Sequence, residues 1–280
     1  MIIHNTVTEF LDRYEPSTAY IQQYFQKNQR HFEEYFKYHC KNPDKKLTEA
    51  VSKHKEKIVD LKIMAKSMPD FIMEIKTKYE KMYKVQFTKD VHLLVGLYGS
   101  NAYTYRQIMP EIVFCLEKLS PQKDHLKVII AHEFGHALHN LLSEKAGIDW
   151  SAIPWTSPYT WLLQEGTAIY FSMKAAATTE DIYFAFEEDI EWLDFAKSND
   201  VHIIKRFMED LHSSSPEDIF REWFSINGGS AFGYTRLGYF IGYQIVDKLA
   251  EELGELEAVA LWGNKQFKET MLNKLRELSP

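Results

Sequence analysis

Two histidines four residues apart, His132 and His136, flank Glu133 in the string Ala131-His132-Glu133-Phe134-Gly135-His136-Ala137. On a helix that spacing sends both imidazoles out from one face, one turn apart, where together they can hold a single zinc ion. Glu133 then falls beside the ion and not on it, where a carboxylate can take a proton from a metal-bound water. The chemistry this predicts is that of a zinc hydrolase. The competing reading is a pair of hydrogen-bonded core histidines.

A helix has to carry this motif, and the flanking sequence supplies one. Ser120 and Pro121 form a helix start, with Asp124 as an alternative cap. Leu126, Ile129, Ile130, Phe134, Leu138, Leu141 and Leu142 form an apolar stripe, and Gly147 is the stop. Both histidines interrupt the stripe and point partly inward. Gly135 in the helix interior costs about 1 kcal/mol relative to alanine, which predicts that something packs closely or binds there.

A catalytic zinc usually has three protein ligands and one open position, so a second segment must supply the third. The metzincin arrangement needs glycine three residues and histidine six residues after His136. Those positions hold His139 and Leu142. That arrangement fails, and His139 reads as a neighbour or a surface residue. The other source is a glutamate on a later helix, and Glu165 lies in Trp161-Leu162-Leu163-Gln164-Glu165-Gly166-Thr167-Ala168-Ile169-Tyr170 with Trp161, Leu162, Ala168 and Ile169 at helical spacing. A carboxylate in an apolar stripe needs a cation or strong donors, because burying it alone costs several kcal/mol. Zinc would supply the charge, as would a salt bridge to an arginine or lysine. Glu144, Asp149 and Glu188 are weaker candidates, each among polar or charged neighbours.

His132-Glu133-Phe134-Gly135-His136, followed 29 residues later by Glu165-Gly166-Thr167-Ala168, resembles the gluzincin metallopeptidases. With Gly238-Tyr239-Phe240-Ile241-Gly242-Tyr243-Gln244-Ile245-Val246 added, the chain is similar to the bacterial DUF2268 (YjaZ-like) zinc-dependent proteases over roughly residues 90 to 253. The resemblance implies a zincin fold with His132, His136 and Glu165 as Zn2+ ligands and Glu133 as general base. It also makes Tyr239 the best candidate oxyanion donor, with Tyr234 and Arg236 behind it. Tyr239 has a second reading as a packing residue, since Gly238 and Gly242 make a small-residue face. One position departs from the family pattern: thermolysin-like gluzincins carry an acidic residue four positions after the ligand glutamate, and Ile169 stands there, so support for the histidines must come from elsewhere.

The remaining chain predicts a predominantly helical α+β protein, with a zincin-like catalytic core and a small sheet over residues 89–280, preceded by a helical N-terminal lobe over residues 1–88. Residues 17 to 39 place Ile21, Phe25, Phe32, Tyr35 and Phe36 on one side of a helix, and 47 to 83 continue in that style around Pro69. The run from Val85 to Leu97 reads as a strand ending in a glycine turn through Gly96 and Gly99. Glu111 to Leu116 reads as a second strand, against a helical alternative through Ile108, Ile112 and Leu119. Such strands next to a metal helix could hold an extended peptide by main-chain hydrogen bonds. Ser157 caps a helix whose first residue is Pro158. Further helices are expected at 181–197, 216–225, 231–253 and to about 277.

With 280 residues, 45% of them hydrophobic, the chain can bury a large core. Net charge is −7, with 13 Lys against 8 Asp and Glu over residues 41–90, and 10 Lys and Arg against 20 Asp and Glu over 180–280. Neither balance suits a nucleic-acid binder. The start lacks a basic stretch ahead of an apolar core, and no apolar run reaches the roughly 18 residues of a membrane span. A cytoplasmic protein is therefore expected, with Cys40 and Cys115 reduced and structural. The predicted function is a zinc-dependent peptidase acting on a peptide or protein substrate; the alternatives are a zinc-bound scaffold without turnover and a helical interaction module.

Overall fold

The computed structural model describes residues 1–185 and 189–280. The architecture is predominantly helical α+β, with one four-stranded mixed sheet among the described residues. The chain divides into two compact units, residues 1–133 and 134–280.

The first unit comprises strands β1 (Ile3–Asn5), β2 (Val91–Leu94), β3 (Ala102–Thr104) and β4 (Ile112–Cys115), together with helices α1 (Thr6–Asp12), α2 (Thr18–Lys27), α3 (Gln29–Glu34) and α4 (Pro43–Tyr83). The sheet order is β1-β2-β4-β3. β1 and β4 run parallel to β2, pairing Ile3 with Val91 and Leu94 with Cys115, while β3 runs antiparallel to β4 with Tyr103 opposite Val113. Every residue of β2 and β4 is buried. Strands covered on both faces read as unbroken apolar runs, and for that reason these two were visible in the sequence. The strand reading of residues 111–116 holds, and the helical alternative does not.

Helix α4 keeps Leu61, Met64, Met68, Ile72, Ile75 and Tyr79 buried at spacings of three and four residues. It also passes straight through Pro69. A mid-helix proline has no N–H for the carbonyl four residues back, which is that of Ala65. The Asn5 side chain fills the gap, its Nδ2 donating to the Ala65 carbonyl at 2.8 Å. The expected helix at 17–39 is instead α2, α3 and a π-helical turn at Tyr35–His39. β1 belongs to the stretch expected to form a purely helical lobe, so the sheet draws on both sides of residue 88 and the compact unit ends at Glu133.

After β2 the backbone is held by buried side chains. Tyr35 Oη accepts from the N–H groups of Leu97 and Gly99, and Glu117 accepts from those of Gly96 and Tyr98. Gly99 is required here, since a Cβ would lie 2.3 Å from the His39 carbonyl oxygen. Burial pushes the Glu117 carboxyl up to about 7 despite these donors.

Helix α5 (Lys123–Lys145) runs through the division as one continuous helix. It begins three residues after Ser120, whose Oγ accepts from the N–H of Gln122, and it ends before Gly147 at φ +72°. The second unit continues with α6 (Pro158–Ala175), α7 (Glu180–Ala185), α8 (Ile190–Ser198), α9 (Asp200–Ser213), α10 (Pro216–Trp223), α11 (Leu237–Leu253), α12 (Glu255–Val259) and α13 (Phe267–Leu278). Ser157 stands at the N-cap of α6 and Pro158 is its first residue, as expected, though the Ser157 side chain makes no capping bond; Ser215 caps α10 by accepting from the Asp218 N–H. Of the helix expected at 181–197, α7 and α8 account for the described parts; residues 186–188 lie outside the described residues. The helix expected from 231 starts only at Leu237, because Arg236 takes a left-handed conformation at φ 60°. Among the described residues no helix is long and apolar enough to cross a membrane.

Candidate metal centre

Helix α5 carries His132, Glu133 and His136 in its middle, without a break between them. The helix is anchored at that level: the Tyr79 hydroxyl donates to the Ala131 carbonyl at 3.0 Å. His132 is 2% exposed and Glu133 6%. These side chains are not solvated surface.

Helix α6 carries Glu165 one turn beyond Trp161, and two close backbone approaches hold it in place. A Cβ on Gly135 would lie 3.1 Å from the Ala168 Cα, so the glycine inside α5 allows α6 to come close, as its cost in an isolated helix suggested. On the other side, a Cβ on Gly166 would lie 2.2 Å from the Gly242 carbonyl carbon. Alanine would not fit there, and Gly166 directly follows Glu165.

These approaches bring Glu165 to His136, with Oε2 and Nε2 3.5 Å apart and both side chains about one-fifth exposed. The ligand atoms of His132, His136 and Glu165 all lie within 4.8 Å of one another. The separation of 3.5 Å is longer than an ordinary N–H···O hydrogen bond, at about 2.7–3.2 Å. It is near the donor–donor edge of a tetrahedral zinc site, about 3.3–3.4 Å for bonds of about 2.0–2.1 Å. Two imidazoles and a carboxylate are also the donor set that zinc takes in hydrolases with an open fourth position. The residues present fit the ion.

The other candidates take different places. Tyr239 is half-buried in the first turn of α11, its ring 6.4 Å from that of Phe224, and it precedes by three residues the Gly242 that touches Gly166. Tyr234 stacks on Phe195 at 4.4 Å, which makes it a packing residue of α8, and Arg236 supplies the turn into α11. No family model matches the chain, and no curated protein or solved structure matches it. The reading of the site therefore rests on its own geometry.

His139 is 1% exposed. The surface option is corrected: its ring stacks on Trp262 at 4.0 Å and its Nε2 meets the Val259 carbonyl oxygen at 2.6 Å. Burial depresses its pKa to about 3, so it stays neutral and donates to that carbonyl. Trp262 in turn donates to Ser143 Oγ. His139 thus ties the segment after α12 to the helix that carries the motif. Glu144 accepts from the Trp150 indole and Asp149 caps the short turn at Trp150–Ala152, while Glu188 lies outside the described residues. Ile169, in the position where an acidic support was sought, is fully buried in the apolar side of α6. Sequence reasoning placed Gly242 on a small-residue face but missed its partner there, Gly166, the glycine directly after the carboxylate.

Proposed function

We propose that this chain is a zinc-dependent peptidase of gluzincin type. The observation that carries the reading is the convergence of His132, His136 and Glu165 to within 4.8 Å, with Glu133 adjacent on the same helix. Bound zinc would supply a Lewis acid and lower the pKa of a coordinated water towards 7. His132, His136 and Glu165 would hold the ion, and with one anionic ligand among the three the site would keep a net positive charge. Glu133 accepts the proton of the attacking water and delivers it to the departing amine. Tyr239 would donate a hydrogen bond from its hydroxyl to the oxyanion that develops on the scissile carbonyl, keeping its proton. The two free, buried cysteines, Cys40 and Cys115, suit a reducing compartment such as the cytoplasm.

The test joins metal analysis to turnover. Purified without chelator, the chain should contain one zinc per molecule and cleave members of a peptide library, and a chelator should abolish the cleavage. Absence of stoichiometric zinc, or cleavage that survives the chelator, would sink the reading. Zinc without cleavage of any peptide would leave a scaffold.

A further inference from the structure

A row of aromatic rings begins one helical turn from Glu165. Trp161 lies at the i−4 position on α6, and helical side chains lean towards the N-terminus, so the two share a face with the carboxylate inclined towards the indole. The Trp161 ring meets Phe220 edge-on at 5.1 Å and Phe224 at 5.8 Å, and Phe224 in turn reaches Tyr239 at 6.4 Å. The row therefore runs between the residues assigned above as metal ligand and oxyanion donor.

Phe220 is the unusual member. Helix α10 buries Ile219 and Trp223, and Phe220 projects off that face, 46% exposed. The fold does not use it as core. The rings themselves offer apolar surface: the Trp161 N–H is already donated to the Trp155 carbonyl, and Arg221 is paired with Asp218, which leaves the acidic Glu217 and Glu222 as the other charges of the helix. An exposed ring set edge-on against a half-buried one, beside a polar centre, suits an apolar side chain.

We infer that Trp161 and Phe220 form a specificity subsite that takes an aromatic side chain of a bound peptide, next to the residue on the Glu165 side of the site. The inference rests on the peptidase reading for the identity of its ligand, but it is measurable without turnover. A peptide lying across the α6 turn would set its ring against Phe220 while its backbone passes Glu165. Trp161 and Phe220 act on substrate choice, not on the bond-breaking step.

The experiment measures binding of two blocked peptides, Ac-Gly-Phe-Gly-NH2 and Ac-Gly-Ala-Gly-NH2, to the full zinc-supplemented chain by calorimetry. The phenylalanine peptide should bind roughly 10-fold or more tightly, the usual worth of an apolar contact of this size. Phe220→Ala should bring it down to the level of the alanine peptide without changing zinc content, and Phe220→Leu should recover part of the difference. Phe220 is exposed, so the variant folds; Trp161→Ala provides a second reading. Equal affinities, no binding of either peptide, or discrimination that survives both substitutions would overturn the subsite. Discrimination without cleavage would leave the subsite and remove the peptidase, whereas chelator-sensitive cleavage without discrimination would do the reverse.

Discussion

Gly166 of α6 and Gly242 of α11 touch through their backbones: a Cβ on Gly242 would lie 2.4 Å from the Leu162 carbonyl oxygen and 3.2 Å from the Gly166 Cα. Nothing at that contact is a flexible side chain that could move aside. Gly242→Ala is therefore expected to push the helices apart at a cost of about 1–3 kcal/mol. Because Gly166 adjoins Glu165, the same substitution should also weaken zinc binding. Thermal unfolding and a zinc titration check both effects, with exposed Lys248→Ala on the same helix as control. A Gly242→Ala chain that melts with the wild type would show that the helices are not held this closely.

His132, His136 and His139, all on α5, should separate into two classes. His132→Ala and His136→Ala should each abolish tight zinc binding, since two remaining ligands hold the ion far more weakly than three. Folding should largely survive, because a chain of this size builds its core without the metal. His139→Ala should behave in the opposite way. It keeps the zinc but loses the stack on Trp262 and the bond to Val259, so it should unfold at a lower temperature. Metal content and melting temperature on the three variants distinguish these outcomes, and stoichiometric zinc in either of the first two removes that histidine from the site.

The parts of this molecule that could be read from sequence are those fixed by neighbours a few residues away. The motif helix follows from apolar spacing and a glycine stop, α6 from Ser157 and Pro158, and Glu165 stands out by its place in an apolar stripe, from which it comes close to His132 and His136. What escaped depends on distant partners. β1 and β3 are three residues each and exist because β2 and β4 offer them an edge, which no local pattern announces. The helical pattern carries on around Pro69, but what lets it do so, Asn5 satisfying the carbonyl that the proline frees, is not visible locally. His139 reads as a neighbour of the site or a surface residue until Val259, 120 residues on, comes to meet it. The late start of α11 follows from one left-handed residue, Arg236, whose side chain carries no signal for that conformation.

Acid sensitivity should have an identifiable source in the seam between α3 and the sheet. His92 Nε2 lies 2.6 Å from Glu111 and its Nδ1 lies 2.8 Å from the Nδ1 of His31, so one proton occupies the contact between the two rings. His4, paired with Asp90, stacks on His92 at 5.0 Å, and Arg30 adds positive charge near His31. Burial, with the neighbouring histidines, pulls the His31 pKa down to about 4 and lowers that of His92. A histidine depressed in the folded state takes up its proton on unfolding, so its stabilising contribution is full above about 6.5, its unfolded value, and is lost as pH falls towards 4. Glu117, raised to about 7, has the opposite slope and partly offsets this. His31→Gln should therefore reduce the fall of unfolding free energy between pH 6.5 and 4 by about one proton's worth of slope. Denaturant titrations at stepped pH measure it; an unchanged slope would mean that His31 protonates freely in the folded chain.

The two glutamates of the site should part company under the same substitution. In Glu165→Gln a neutral amide replaces the only anionic ligand, so the net positive charge at the centre rises and the ion should be held less tightly. In Glu133→Gln the donor set is untouched, and zinc content should equal that of the wild type. That amide has the shape of the carboxylate but cannot accept the water's proton, and loss of a general base is worth roughly 100-fold to 10,000-fold in rate. Glu133 is 6% exposed, so bulk water has little access from which to stand in for it. Zinc content and peptide hydrolysis, measured on both variants side by side, give a pattern that no single loss of stability can mimic. Zinc lost from Glu133→Gln and kept by Glu165→Gln would reverse the two roles, and full activity in Glu133→Gln would place the base elsewhere in the chain.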